Sequence, residues 1–600
     1  MNKARTSITS LGLAVLFAAC NSGSGSSPQG GSGGGSGGNQ SNGSGGSQNG
    51  GSSGNPNGGS SSNASGGSSS AGGVTGKGGA TGGGGTTSAG GATGKGGVTG
   101  AGGATSAGGA TPSGGVTGKG GATGAGGATS AGGTTGAGGA PATGGTTSVT
   151  STLVTSASGS YWKSGTWTEV TSTATVTVDD TKTSQTWEGF GGAFNELGWT
   201  YLTTKALQDQ AMQLLFGTDG CHFAWGRIPM GASDYGTDRY TDDETANDTS
   251  MGSFSITRDQ KNLIPYIKAA QGVKSDLRFW ASPWTPPTWM KSSPYKTPGN
   301  PVNAFDGGTM KSDSAILAAY AQYYVKFVQG YKDQNINIEI VSPQNEPGYD
   351  QNYPSCLWDK TTYVNWVKAL GPEMTKLGVK VMLGTLSNAG DNNRTDLDIS
   401  AAVLADSTAK GIVTVVGAQW GVLDKVNGGQ SFSGLPVWAT EHKCGNYPWN
   451  PGGSIPAYKE PAPNDQAYGV ESWGYIRDAI TKGKVTAYNA WNMVLDKMGY
   501  GIDNTRKWAQ DSLLFVDGGQ ITQTPAYYVF RHFAQFVDPG AKVVSASGGD
   551  AVGFKNSDGS IVAVMYNSGS ANSSYVVSIG GKKFQFAMPG SGWATVKYKP

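Results

Sequence analysis

This chain of 600 residues has little histidine and little cysteine, and it has no apolar run long enough to span a bilayer. Its three histidines, His222, His442 and His532, stand far apart, so a zinc centre or a serine-histidine triad has few candidates. No Walker-type phosphate loop occurs, and nothing calls for a metal or a cofactor. Lys+Arg 42 against Asp+Glu 40 leaves the charge nearly balanced, and no basic cluster is present to track phosphates, which speaks against nucleic acid as a partner. Tryptophan is absent from the first 150 residues, which hold more than half of the 102 glycines. All 17 tryptophans follow, so the globular part is expected over about residues 151–600.

The opening MNKARTSITSLGLAVLFAAC places Lys3 and Arg5 ahead of a short apolar run ending in small residues, the layout of a secretory signal over residues 1–20. FAAC resembles a bacterial lipobox, in which Cys20 would carry lipid; Phe17 stands where that motif usually has Leu, which keeps plain secretion open. Residues 21–71 are mostly Gly, Ser and Asn, and residues 72–149 repeat every six positions as GGVTGK, GGATGG, GGTTSA and similar units. Val is the bulkiest apolar residue those hexads offer, too little to fill a β-helix, so a disordered Gly-rich tether is expected. It would hold the globular body away from a membrane or wall.

Eight short apolar runs then alternate with segments of helical spacing. They are GFGGAF at 189, HFAWGRIPMG at 222, DLRFWASPW at 276, IEIVSPQNEP at 338, VKVMLGT at 379, VTVVGAQWG at 413, PVWATEH at 436 and VTAYNAWNM at 485. Stretches 314–334 and 361–378 repeat apolar residues every three or four positions. This predicts an α/β fold with eight parallel strands, a (β/α)8 TIM barrel over 188–510. Such barrels do chemistry at strand C-terminal ends, where this sequence places Asp234, Trp284, Asn345, Glu346, Trp420, Glu441, Trp491 and Asn492.

Glu346 and Glu441 end the fourth and seventh strands, opposite each other across the barrel mouth. Two carboxylates facing one bound group suit glycoside hydrolysis, in which one protonates the leaving oxygen and the other attacks the anomeric carbon or activates water. Spacing alone does not choose between those two. Trp284, Trp420 and Trp491 are candidates to stack on sugar faces, whereas Trp199, Trp289 and Trp366 read as packing. Glu188 and Glu196 are weaker candidates, and Glu339, inside strand four, is expected to pair with a basic neighbour. His442, next to Glu441, could support it or be structural.

WEGFGGAFNE, GRIPMGASDY, WASPWTPPTWMK, SPQNEP and WATEH, in that order, resemble glycoside hydrolase family 30, the group of acid β-glucosidases (glucosylceramidases) and microbial β-glucanases and xylanases. The resemblance implies a barrel joined to a β-sandwich side domain and a retaining mechanism, with Glu346 as acid/base and Glu441 as nucleophile. It also implies that Asn345 holds the sugar 2-hydroxyl and that Asp234, Trp284 and Trp491 line the subsite. One departure is GAQWG at the sixth strand end, where Gln419 and Gly421 are expected to leave the wall more open.

Residues 541–600 alternate as sandwich strands do, with a DG turn inside AVGFKNSDGSIVAVMYNS, so a β-sandwich side domain is expected over 511–600, to which residues 151–187 are expected to add strands. Cys356 and Cys444 fall on loops over the barrel mouth and are expected to form a disulfide, leaving Cys221 free and buried on strand two. The expected protein is a monomeric, exported retaining β-glycosidase acting on a β-linked glycan such as β-glucan or xylan, touching a membrane only through a lipid at Cys20. A glucosylceramidase acting on glycolipid, and an inactive carbohydrate-binding surface lipoprotein, are the alternatives.

Overall fold

The computed structural model describes residues 151–295, 304–387, 396–442, 465–502 and 510–600. The signal, Cys20, the tether and Cys444 with its expected disulfide lie outside the described residues.

Each of the eight apolar runs forms a strand: β1 (Gly189–Ala193), β2 (Trp225–Met230), β3 (Arg278–Pro283), β4 (Ile338–Val341), β5 (Lys380–Leu386), β6 (Val413–Ala418), β7 (Val437–His442) and β8 (Ala487–Asn492). All neighbours pair in parallel, and β8 closes onto β1, giving a closed eight-stranded barrel. The glycines of β1 answer a steric demand from its neighbour. A Cβ on Gly191 would stand 2.4 Å from the Trp225 carbonyl oxygen and 2.6 Å from Asn489 Oδ1. Inside the barrel Trp225, Trp280 and Trp438 meet edge to face with Ile340, Met382 and Val415, forming an apolar floor beneath the mouth.

Helices cover the outside because their apolar stripes recur at helical spacing. Helix Ser314–Asp333 starts at Asp313, whose carboxylate accepts the Ala315 and Ile316 N–H groups. Helix Lys360–Leu377 starts in the same way at Asp359 and stops at Gly378 in the left-handed conformation. As the sequence predicts, Trp366 is packed; it is fully buried and stacks on Tyr320. Glu339 pairs with Arg278, whose Nε donates to it at 2.8 Å.

The side domain holds ten strands in one continuous hydrogen-bonded order. Its core takes Leu153, Val176 and Val178 from before the barrel, and Ile561, Val577, Phe586 and Val596 from after it. Strand Ser151–Ala157 pairs with Gly592–Tyr598, and Val176–Thr186 pairs with Lys542–Ser547. Residues 511–537, assigned to the sandwich from the sequence, instead belong with the barrel: a hairpin (Leu514–Asp517, Gln520–Gln523) leads to helix Pro525–Ala534, which packs on helix Gln466–Thr481. That helix, Pro525–Ala534, follows the eighth strand and is the eighth of the barrel. It ties the two domains together through His532, whose ring nitrogens lie 2.8 Å from Thr595 Oγ1 and 2.9 Å from Ser156 Oγ. Burial pulls His532 down to about 3, so it stays neutral. Cys221 is buried and free, but it sits in the turn before β2 rather than on the strand. No helix among the described residues is long and apolar enough to cross a membrane.

Candidate active site

The strand-four exit departs from regular structure, so its backbone groups must find other partners. Tyr324 and Trp366, from the two flanking helices, both donate to the Pro343 carbonyl, at 2.8 and 3.1 Å. The Asn345 N–H bonds the Pro283 carbonyl on β3, and the Glu346 N–H bonds the Thr385 carbonyl on β5. Between these anchors Glu346 adopts φ 46°, a left-handed conformation that costs a residue with a Cβ about 1 to 3 kcal/mol and persists only where surroundings impose it. The strain turns Glu346 over the barrel mouth, where it is 6 % exposed.

Glu441 arrives from β7 and is 7 % exposed. Its carboxylate is met by three donors. Arg227 on β2 makes a charge-assisted bond to Oε2, Gln419 donates to the same oxygen at 3.1 Å, and Trp420 Nε1 donates to Oε1 at 3.1 Å. Gln419 is fully buried and directs its amide N–H groups into the site. The same Arg227 and Gln419 also donate to Asn345 Oδ1, at 2.7 and 3.1 Å, and Thr385 Oγ1 adds a third donor at 3.0 Å. With its carbonyl oxygen taken, Asn345 has its amide N–H groups left to offer a ligand.

Arg227 is itself fully buried and lies against Trp280, Trp284 and Trp491, at 4.9, 4.3 and 5.1 Å from the ring centroids. Trp284 and Trp491 stack at 5.2 Å, are almost wholly buried, and pack with Tyr235, Tyr353 and Leu495 as well as against this guanidinium. Trp420 is only partly buried and presents indole surface. Asp234, from the loop after β2, is 4 % exposed and places its charge near both glutamates.

The two carboxyls have opposite surroundings. Burial, then the charges of Glu441, Asp396 and Asp234, hold Glu346 well above the usual carboxylate range, which keeps it protonated near neutral pH. Burial also raises Glu441, but Arg227 opposes that shift and favours its charged form. Among the described residues no group of three or more His, Cys, Asp or Glu could hold a metal.

All the candidate residues within the described segments thus lie at one barrel end: Asp234, Trp284, Asn345, Glu346, Trp420, Glu441 and Trp491. Glu196, buried beside Arg258, and Glu188, which accepts from Trp438 and Thr486, are held in other contacts. Sequence reasoning missed Arg227, although an arginine within the apolar run FAWGRIPM was a visible signal. It also missed Thr385 and Asp396, which nothing in the sequence distinguishes from other polar residues.

Removing the guanidinium checks its weight. Arg227→Met would leave Glu441 buried without a counter-charge, so a loss of about 3 to 5 kcal/mol is expected, read as a lower thermal midpoint. The acid limb of the activity profile should move to higher pH, because Glu441 then gives up its charge earlier. An unchanged midpoint and limb would show that Arg227 does not hold the carboxylate.

A parallel barrel with two buried carboxyls at its C-terminal mouth is an arrangement that glycoside hydrolases use, and the family matches place the chain in that class. Residues 187–537 match the glycosyl hydrolase family 30 TIM-barrel domain, and residues 540–596 match the glycosyl hydrolase family 30 β-sandwich domain. The chain belongs to glycosyl hydrolase family 30. It is 29 % identical to putative glucosylceramidase 4 of Caenorhabditis elegans over 433 residues, which is 67 % of this chain and 78 % of that protein. It is 26 % identical to endo-1,6-β-D-glucanase neg1 of Aspergillus fumigatus over 399 residues, 63 % of this chain and 76 % of that one. The solved structure of an endo-β1,6-glucanase shares the fold with a TM-score of 0.63 at 22 % identity, over 75 % of this chain and 100 % of that chain.

Proposed function

We propose that the protein is an exported retaining β-glycosidase that cleaves a β-linked glucan, β-1,6-glucan first among the candidates, with Glu346 as acid/base and Glu441 as nucleophile. The observation that carries this reading is the contrast between the two buried carboxyls. Arg227 favours the charged form of Glu441 against the upward pull of burial, whereas Glu346 is surrounded by like charge and keeps its proton.

In the first step Glu441 Oε1, which among the described residues accepts the Trp420 N–H alone, attacks the anomeric carbon. The bond to the leaving oxygen breaks, and Glu346 gives that oxygen its proton. Arg227 and Gln419 stay on Oε2, the carbonyl oxygen of the resulting ester. In the second step Glu346, now ionised, takes a proton from water as the water attacks the same carbon and frees Glu441. The Asn345 amide donates to the sugar 2-hydroxyl, Asp234 accepts from hydroxyls further round the ring, and Trp420 offers a stacking face. Trp284 and Trp491 line the subsite mainly by fixing Arg227.

The polysaccharide reading follows from residues 1–150, whose signal-like start, Cys20 and repetitive tether suit a body held outside the cell, lipid-anchored at Cys20. The endo-1,6-glucanase relatives support the linkage. Glucosylceramide is the second substrate to test, because several relatives are putative glucosylceramidases. The deciding experiment offers β-1,6-glucan, β-1,3-glucan, xylan and glucosylceramide and follows the first product by NMR. Cleavage of β-1,6-glucan with the β-anomer formed first is expected. An α-anomer first would remove the retaining mechanism, and turnover of glucosylceramide alone would remove the polysaccharide.

A further inference from the structure

Asp396 is fully buried behind Glu346, and the chemistry just described does not use it. Its Oδ1 accepts the Gly348 N–H at 2.6 Å, and its Oδ2 accepts the Ser387 N–H at 2.5 Å. Gly348 lies two residues beyond Glu346 in the strand-four exit, and Ser387 directly follows β5. We propose that Asp396 is a positioning residue for Glu346, binding the two loops together and imposing the left-handed turn that aims the acid at the barrel mouth. This inference rests on the reading of Glu346 as the acid.

Three further contacts complete the clamp. The Thr385 carbonyl takes the Glu346 N–H at 3.0 Å, the Glu346 carbonyl takes the Tyr349 N–H at 2.9 Å, and the Pro347 carbonyl takes the Trp358 N–H at 2.8 Å. Two backbone donors on two separate oxygens require a carboxylate, since an asparagine would set an NH2 group against one of them. Charge gives the clamp a second effect. Glu346 is faced by Glu441, Asp396, Asp234 and the Ser387 hydroxyl, with Arg227 as the nearby cation. Asp396 has Tyr363 as a further neighbour. Burial pushes Asp396 up to about 7 against the pull of its two N–H bonds, and its ionised form then helps Glu346 hold its proton.

The test uses the full-length protein and two probes, phenyl β-D-glucoside, whose poor leaving group needs a proton, and 2,4-dinitrophenyl β-D-glucoside, whose leaving group does not. In Asp396→Asn and Asp396→Ser, kcat/KM on the phenyl glucoside should fall about 10- to 100-fold while the dinitrophenyl glucoside stays within about threefold. The alkaline limb of kcat/KM should move to lower pH in both. Equal losses on the two probes with an unmoved limb would overturn the proposal, and so would failure of both variants to fold, since Asp396 would then serve the fold and not Glu346. Glu346→Gln is the control. If it too shows no difference between the probes, the reading of Glu346 fails, and with it the premise rather than the clamp.

Discussion

Glu441→Gln is expected to lower kcat by about 10⁴-fold or more while the protein still binds glycan. Glutamine preserves the volume of the side chain, and its single carbonyl oxygen can still accept from Arg227, with its NH2 group then set against the Trp420 N–H. It cannot form the glycosyl ester, because an amide oxygen carries too little negative charge to displace an alkoxide. Arg227 would meanwhile lose its counter-charge in a fully buried site, so a lower thermal midpoint should accompany the kinetic loss. Glu441→Gly gives a sharper readout. Added azide should restore turnover of an activated aryl glucoside and yield the α-glucosyl azide, since the small anion attacks from the side that the carboxylate has vacated. A β-glucosyl azide would assign Glu441 to the other role.

Glu346→Gln has the second largest expected effect and a different signature. General acid catalysis is worth about 10²- to 10⁴-fold, so hydrolysis of a glycan, with its poor leaving group, should fall by that factor. A dinitrophenyl glucoside should still form the glycosyl-enzyme at nearly the parent rate, because its leaving group departs unprotonated. Hydrolysis of that ester then becomes slow, and azide should relieve it to give the β-glucosyl azide. The pH profile follows from the direction of the shift. The parent keeps its acid through neutral pH, because burial and then Glu441 raise Glu346, and activity declines as pH climbs past that raised value. Glu346→Gln should lack this alkaline limb. A parent profile that rises through the alkaline range would contradict the assignment.

How much of this was legible in the sequence depends on the kind of residue. The eight strands could be read because each is a short apolar run followed by a helical pattern, and a parallel barrel buries both faces of its strands. Glu346 and Glu441 stood out because a carboxylate at the end of such a run is costly unless it is used. Arg227 was harder, since a lone arginine is ordinarily a surface group, and only the folded barrel shows it enclosed by three tryptophans. Gln419 was noticed at its strand end, but its two N–H contacts, to Asn345 and Glu441, depend on strands distant in sequence. Asp396 lies at the end of SNAGDNNRTD, a polar stretch whose composition does not mark it as buried. Trp284 and Trp491 were placed at the correct barrel end, but their stacking on each other and on Arg227 depends on tertiary contacts between β2, β3 and β8.

The central claim, a covalent intermediate on Glu441, has one direct measurement. The protein is incubated with 2-deoxy-2-fluoro-β-D-glucosyl fluoride, whose electron-poor ring slows release of the ester, then digested and its peptides weighed and sequenced. The expected result is one fluoroglucosyl group per chain, carried by Glu441, with activity lost in step with labelling. A label on Glu346 or on another residue, or full activity with no label while β-glucan is being cleaved, would contradict the account.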